Sequence, residues 1–165
     1  MNPDLLIKEN PFPDLLNELA VSDAAVVAPA VVAPNGFIED SVRHFPSLMS
    51  LCKKLSGHDD GRYGFRVGED AFSADWVAGM FMLFQARDFK CVGGFDENFF
   101  LYYEDVDICA RLRDSGRNVL ACPKVQVVHL AQRASRRNLR YFRWHLSSLA
   151  RYFSKYGLCG YRPAV

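Results

Sequence analysis

The densest reactive chemistry in the sequence lies in Gly93–Asp107, read GGFDENFFLYYEDVD, where Glu104, Asp105 and Asp107 follow an aromatic run. Carboxylates at this spacing suit proton transfer. A general base must be ionised before it accepts a proton, and the positive end of a helix dipole favours an ionised aspartate near a helix amino terminus. The same acids also suit plain capping and charge matching of a first helical turn, and spacing alone favours that plainer role. Phe95, Phe99, Phe100, Tyr102 and Tyr103 bear on the choice. Aromatic walls beside carboxylates form the kind of cleft that binds sugars, although such residues serve equally as core.

A second candidate centre combines Asn2-Pro3-Asp4 with His129. A carboxylate oxygen and a neutral imidazole nitrogen together suit Mg²⁺ or Mn²⁺ bridging a diphosphate. Nothing in the spacing joins two residues so far apart, and His129 on its own reads more readily as a hydrogen-bonded structural histidine. Val92-Gly93-Gly94 lacks both the GxGxxG spacing and the Lys-Ser/Thr of a phosphate loop, so it reads as a turn.

Several elements must position these groups. An amphipathic helix is expected over Pro13–Ala20, with Leu15, Leu16 and Leu19 on one side, and a buried strand over Ala24–Ala33. Pro34-Asn35-Gly36 turns the chain into a second extended piece at Phe37–Phe45, and the glycine-rich stretch Ser56–Asp70 reads as a mobile loop. Trp76–Phe84 reads as one apolar strand in which Gly79 permits close approach. Ile108 and Leu112 mark a helix from Asp105 to about Ser115 that stops at Gly116, and Asn118–Leu130 reads as short strands broken at Pro123. Leu139, Phe142, Leu146, Leu149, Phe153 and Tyr156 define the stripe of a final helix from about Ser135 to Tyr156.

With 165 residues the chain fits a single domain, able to bury about 70% of its unfolded surface. Half the residues are hydrophobic and 24% are charged, which excludes a disordered or collagen-like chain. The net charge of +1 conceals an asymmetry: residues 1–114 carry 10 Lys+Arg against 19 Asp+Glu, whereas residues 115–165 carry 10 Lys+Arg and no acid. The basic tail, with Arg133, Arg136, Arg137, Arg140, Arg143, Arg151 and Lys155, reads as a solvated packed helix, an interfacial helix on anionic lipid or a nucleic-acid contact. It carries no recognised nucleic-acid motif. Five cysteines without a CxxC pair, and four histidines without zinc-finger spacing, fit reduced thiols in a cytosolic setting. No apolar stretch approaches the roughly 20 residues that span a bilayer, and no signal peptide is visible.

WVAGMFMLF at 76–84, VGGFDENFFLYYEDVDICARLRDSG at 92–116 and VQVVH at 125–129, with NPD at 2–4, resemble the family 2 glycosyltransferases, in particular the bacterial rhamnosyltransferase-like branch that builds surface polysaccharides. The resemblance implies an α/β chain with a partial GT-A fold, a mixed sheet with flanking helices. It implies inverting transfer from a nucleotide-activated sugar to a saccharide or lipid-linked acceptor. Asp105 takes the place of the general base with Glu104 beside it, Asp4 and His129 that of metal contacts for Mg²⁺ or Mn²⁺, and Gly79, Trp76 and Asp107 lie on the donor/acceptor-binding side. The first acid of the usual metal motif is Asn2 here. A complete member has about a hundred further residues before this motif, so most of the nucleotide-binding Rossmann-like half is expected to be missing.

The expected division is therefore an acceptor-side catalytic part at 1–132 and a basic amphipathic helix and tail at 133–165. A catalytically silent fragment acting as a binding or assembly module is the alternative. Expected partners are the donor and acceptor, an anionic membrane surface, and a second copy or complementing amino-terminal half, with no nucleic acid. The expected location is cytoplasmic, peripheral on the inner face of the plasma membrane.

Overall fold

Two apolar runs, each interrupted by a proline, build the centre of the fold. The computed structural model describes residues 1–59, 61–130 and 139–162. Strand β2 (Ala24–Val32) pairs in parallel with β7 (Asn118–His129), as defined with β1 (Leu5–Leu6), β4 (Phe72–Ser73) and β6 (Leu83–Phe84) in one five-stranded mixed sheet. All nine residues of β2 are buried because both faces of the sheet are covered. Leu15 and Leu19 of α1 (Phe12–Ser22) pack on one face with Val27, Val31 and Val127; Ile108 and Leu112 of α4 (Glu104–Asp114) pack on the other with Val26 and Val119. Leu16 is exposed, so the apolar side of α1 is narrower than its leucines suggest.

β7 is one strand rather than short pieces broken at Pro123. Its register against β2 slips between Cys122↔Pro29 and Gln126↔Ala30, so Pro123, which has no amide to donate, falls in the slip. The expected strand Trp76–Phe84 is split. β5 (Trp76–Val77) pairs with β3 (Val42–Arg43) in a small second sheet, while β6 joins the main one. The extended piece at 37–45 contributes β3 and two isolated bridges, Ile38 to Val32 and Arg43 to Arg62.

Two helices carried weaker sequence signals. α2 (Leu48–Leu55) is held by a reciprocal Ser47/Ser50 capping box, and α3 (Ala86–Cys91) precedes the Gly93-Gly94 turn, whose φ values are 78° and 70°. The described part of the last helix is α5 (Leu139–Tyr156). Tyr152 is fully buried against Val106 and Ala110 of α4, and its hydroxyl donates to the Pro46 carbonyl at 3.1 Å. At Gly160 a Cβ would collide with that same carbonyl, so only glycine allows the chain to close over Pro46. The expected boundary at 132/133 and the start of the helix at Ser135 lie outside the described residues. No described helix is long and apolar enough to cross a membrane.

Candidate functional site

Asp105 owes its position to two unusual backbone conformations just before it. Tyr102 and Tyr103 both have φ of 68°, a left-handed conformation uncommon for bulky residues, which turns the chain into α4 with Glu104 and Asp105 at its first turn. The Asp105 carboxylate accepts from two amides, Gly79 N–H on Oδ2 at 2.9 Å and Val106 N–H on Oδ1 at 2.8 Å. It lines a pocket of about 230 Å³ together with Glu104, Trp76, Arg43, Tyr102, Tyr103 and His145. Burial raises the Asp105 pKa, outweighing the amides that favour the anion. Burial and the neighbouring Asp105 raise the Glu104 pKa as well, and Glu104 Oε2 has no hydrogen-bond partner among the described residues. The result is a paired-carboxylate pocket in which one buried carboxylate oxygen has no hydrogen-bond partner among the described residues.

Trp76 is fixed in the wall by its indole N–H, which donates to the His44 carbonyl at 3.0 Å. His145 packs against Tyr102 and Tyr103 at ring separations of 5.2 and 5.5 Å, and burial with nearby Lys54 lowers its pKa, keeping the ring neutral.

The second centre assembles at the far end of β7. The β1–β7 pairing sets Leu5 opposite His129, which brings Asp4 Oδ2 to 3.1 Å from His129 Nε2. Glu39 Oε2 stands 2.6 Å from Nδ1 of the same ring, placed there because the Glu39 amide donates to the Val31 carbonyl. Burial opposes charge on His129, but the two carboxylates prevail and raise its pKa. Asp4 Oδ1 is buried without a partner among the described residues. Among the described residues no three such side chains already surround a common point. The donor chemistry nevertheless fits a divalent cation: Asp4 and His129 Nε2 present an oxygen and a nitrogen, with Glu39 behind the imidazole in the way carboxylates orient metal-binding histidines. The two centres are neighbours along the chain path, since the Asn2 amide donates to the carbonyl of Met80, next to Gly79.

Asp107 lies elsewhere. It is fully buried and bonded to Arg111 Nε at 2.7 Å, Lys155 Nζ at 2.7 Å and the Tyr156 hydroxyl at 2.8 Å, so it ties α5 to α4 and does not line the carboxylate pocket. The aromatic run divides too: Tyr102 and Tyr103 wall the pocket, Phe99 is core, Phe95 packs on Phe84 and Phe89, and Phe100 lies exposed against Trp144. Glu39 and His145 carried no motif in the sequence. Each is a lone residue whose role depends on long-range pairing.

Residues 53–163 match the family described as Glycosyltransferase like family 2. The chain belongs to the family 2 glycosyltransferases. Over 94% of its length the chain is 31% identical to the rhamnosyltransferase WbbL of Escherichia coli, covering 60% of that protein. It is 28% identical over 64% of its length to the N-acetylglucosaminyl-diphospho-decaprenol L-rhamnosyltransferase of Mycobacterium tuberculosis, covering 37% of it. A hexosyltransferase of low-salt glycan biosynthesis from Haloferax volcanii is 22% identical over 78% of the chain and 40% of its own length. The chain thus spans between 37% and 60% of the length of these relatives, and its mixed α/β fold with flanking helices is that of a family 2 domain in part.

Proposed function

We propose that this family 2 chain forms the acceptor-side catalytic part of an inverting glycosyltransferase in surface polysaccharide synthesis. Its donor is a nucleotide-activated sugar, with rhamnose favoured by the names of two relatives. The acceptor is a saccharide or a lipid-linked saccharide, as in the name of the mycobacterial relative. The observation that carries this reading is the Asp105 carboxylate, held by two amides in a pocket beside Glu104 and Trp76.

Asp105 takes the proton of the acceptor hydroxyl as that oxygen bonds to the sugar carbon and the bond to the leaving diphosphate breaks on the opposite face. Its raised pKa makes it a stronger base than an exposed aspartate. Glu104 Oε2, which has no partner among the described residues, accepts from a second acceptor hydroxyl and orients the sugar, which stacks against Trp76. Asp4 and His129 would hold Mg²⁺ or Mn²⁺, with Glu39 fixing the imidazole. When bound, the cation would offset charge on the leaving diphosphate. The basic carboxy-terminal helix lies on the anionic cytoplasmic surface of the membrane.

Asp105→Asn is expected to lower kcat by about 10²–10⁴. Transfer is measured on the chain alone and complemented by the part of the Escherichia coli relative that it does not match. Unchanged kcat overturns the assignment. The limited span favours a second reading, in which the isolated chain is a silent binding or assembly module. Turnover by the purified chain alone excludes that reading.

A further inference from the structure

We infer that α2 and α5 together form a docking surface for an anionic lipid bilayer, with the carboxylate pocket opening at its edge. This deepens the membrane contact proposed above, which it rests on, by adding a second helix and an orientation.

α2 is well capped yet buries none of its own residues. The Ser50 amide donates to Ser47 Oγ at 3.0 Å and the Ser47 amide to Ser50 Oγ at 2.9 Å, so its start is well capped. None of its residues is buried, and Leu48, Met49 and Leu55 are exposed, Leu55 to 89%. The first half of α5 repeats the pattern. Leu139, Phe142 and Leu146, spaced i, i+3 and i+7, are exposed, whereas Leu149 and Phe153 farther along the same stripe are half-buried against the domain. The stripe expected to seat the helix therefore seats only its second half. Single exposed apolar residues are ordinary; two neighbouring helices with such faces mark an interaction surface.

The helices adjoin. The Leu48 amide donates to the Leu158 carbonyl just beyond α5 at 2.9 Å, and Leu51 and Lys54 of α2 share the pocket wall with His145 of α5. Neither helix contains an acid, while Lys53, Lys54, Arg140, Arg143 and Arg151 lie on them. Charge decides the occupant. A second copy would bring cation to cation across a two-fold contact, whereas an anionic bilayer complements both the apolar side chains and the Lys and Arg groups. Arg140 over Trp144, 5.8 Å from the ring centre, is the aromatic and cationic mixture that sits at headgroup depth. Docked this way, the pocket faces the bilayer and receives the head of an acceptor that stays anchored in it.

The test is flotation with phosphatidylcholine vesicles, with and without phosphatidylglycerol. The chain is expected to float only with the anionic vesicles. Met49→Glu with Leu55→Glu in α2, and separately Phe142→Glu with Leu146→Glu in α5, are each expected to weaken binding about tenfold or more. Because these side chains are exposed, thermal melting should be unchanged, which separates lost docking from lost fold. An α2 variant that floats like the wild type overturns the two-helix surface and leaves the α5 contact standing. No flotation by the wild type, or equal flotation on neutral vesicles, overturns both. Sedimentation showing a dimer that the α2 variant dissociates assigns the face to a second copy and also overturns the proposal. Transfer to a water-soluble acceptor tests the catalytic reading independently, since neither Met49 nor Leu55 lines the pocket.

Discussion

The Gly79 amide donates a 2.9 Å hydrogen bond to Asp105 Oδ2, joining the segment after β5 to the first turn of α4 across 26 residues. A Cβ at position 79 would stand 3.6 Å from that oxygen, an ordinary contact, so glycine there is not demanded by collision. What it provides is an uncovered approach to the carboxylate. The split of the apolar run 76–84 into two short strands follows from the same relationship. Gly79 leaves the sheet to meet Asp105, and Met80 uses its carbonyl to hold Asn2.

The buried, raised Asp105 has a consequence for stability that can be read apart from catalysis. Above its ordinary pKa of 3.8 the group ionises in the unfolded chain while the fold still favours the protonated form. Its contribution therefore favours the fold at low pH and is lost as pH rises through the folded pKa. Urea unfolding between about pH 4 and 8 is expected to show wild type losing stability relative to Asp105→Asn as pH rises. A constant difference between the two across that range would contradict the burial effect. The rate of transfer should rise with pH through the same folded pKa, because the base works only when ionised.

Asp107 makes a contrasting prediction. Its fully buried carboxylate is bonded to Arg111, Lys155 and Tyr156; removing it leaves Arg111 without this carboxylate at the α4–α5 contact and Lys155 with its second partner, Asp96 Oδ2 at 3.0 Å. Asp107→Ala is expected to cost about 3–5 kcal/mol in equilibrium unfolding, and Tyr156→Phe only about 1 kcal/mol, since it deletes one hydrogen bond. A loss below about 1 kcal/mol for Asp107→Ala would mean the brace is solvated rather than buried.

How far the sequence speaks depends on whether a feature is local. α4 was legible because Ile108, Leu112 and Gly116 state its period and its stop within one segment, and β2 because an unbroken small and β-branched run suits a strand covered on both faces. α2 was not, because its cap pairs Ser47 with Ser50 instead of the more recognisable Glu or Gln. For α5 the period was visible but not which half of the stripe meets the domain, since that is set by Phe99, Val106 and Ala110 on other elements. Asp105 and Glu104 could be singled out from their aromatic neighbourhood, yet adjacent Asp107 could not be distinguished from them. Only its inward direction on α4 separates a brace from a pocket residue.

The Asp4–His129 centre shows the same limit in its strongest form and carries the last prediction. No spacing rule connects the two residues; the antiparallel pairing of Leu5 with His129 does so, and the turn that brings Glu39 to β2 adds the third member. Nδ1 is engaged by Glu39, so the geometry leaves Nε2 as the nitrogen to share with Asp4 in holding a cation. Titration calorimetry with Mn²⁺ is expected to show affinity abolished by Asp4→Ala with His129→Ala, and weakened about 10- to 100-fold by Glu39→Gln, which keeps the shape but removes the charge orienting the ring. Unchanged affinity in the double variant would remove the metal role from this pair. Loss in the double variant with none in Glu39→Gln would keep the ligands and reduce Glu39 to a structural contact.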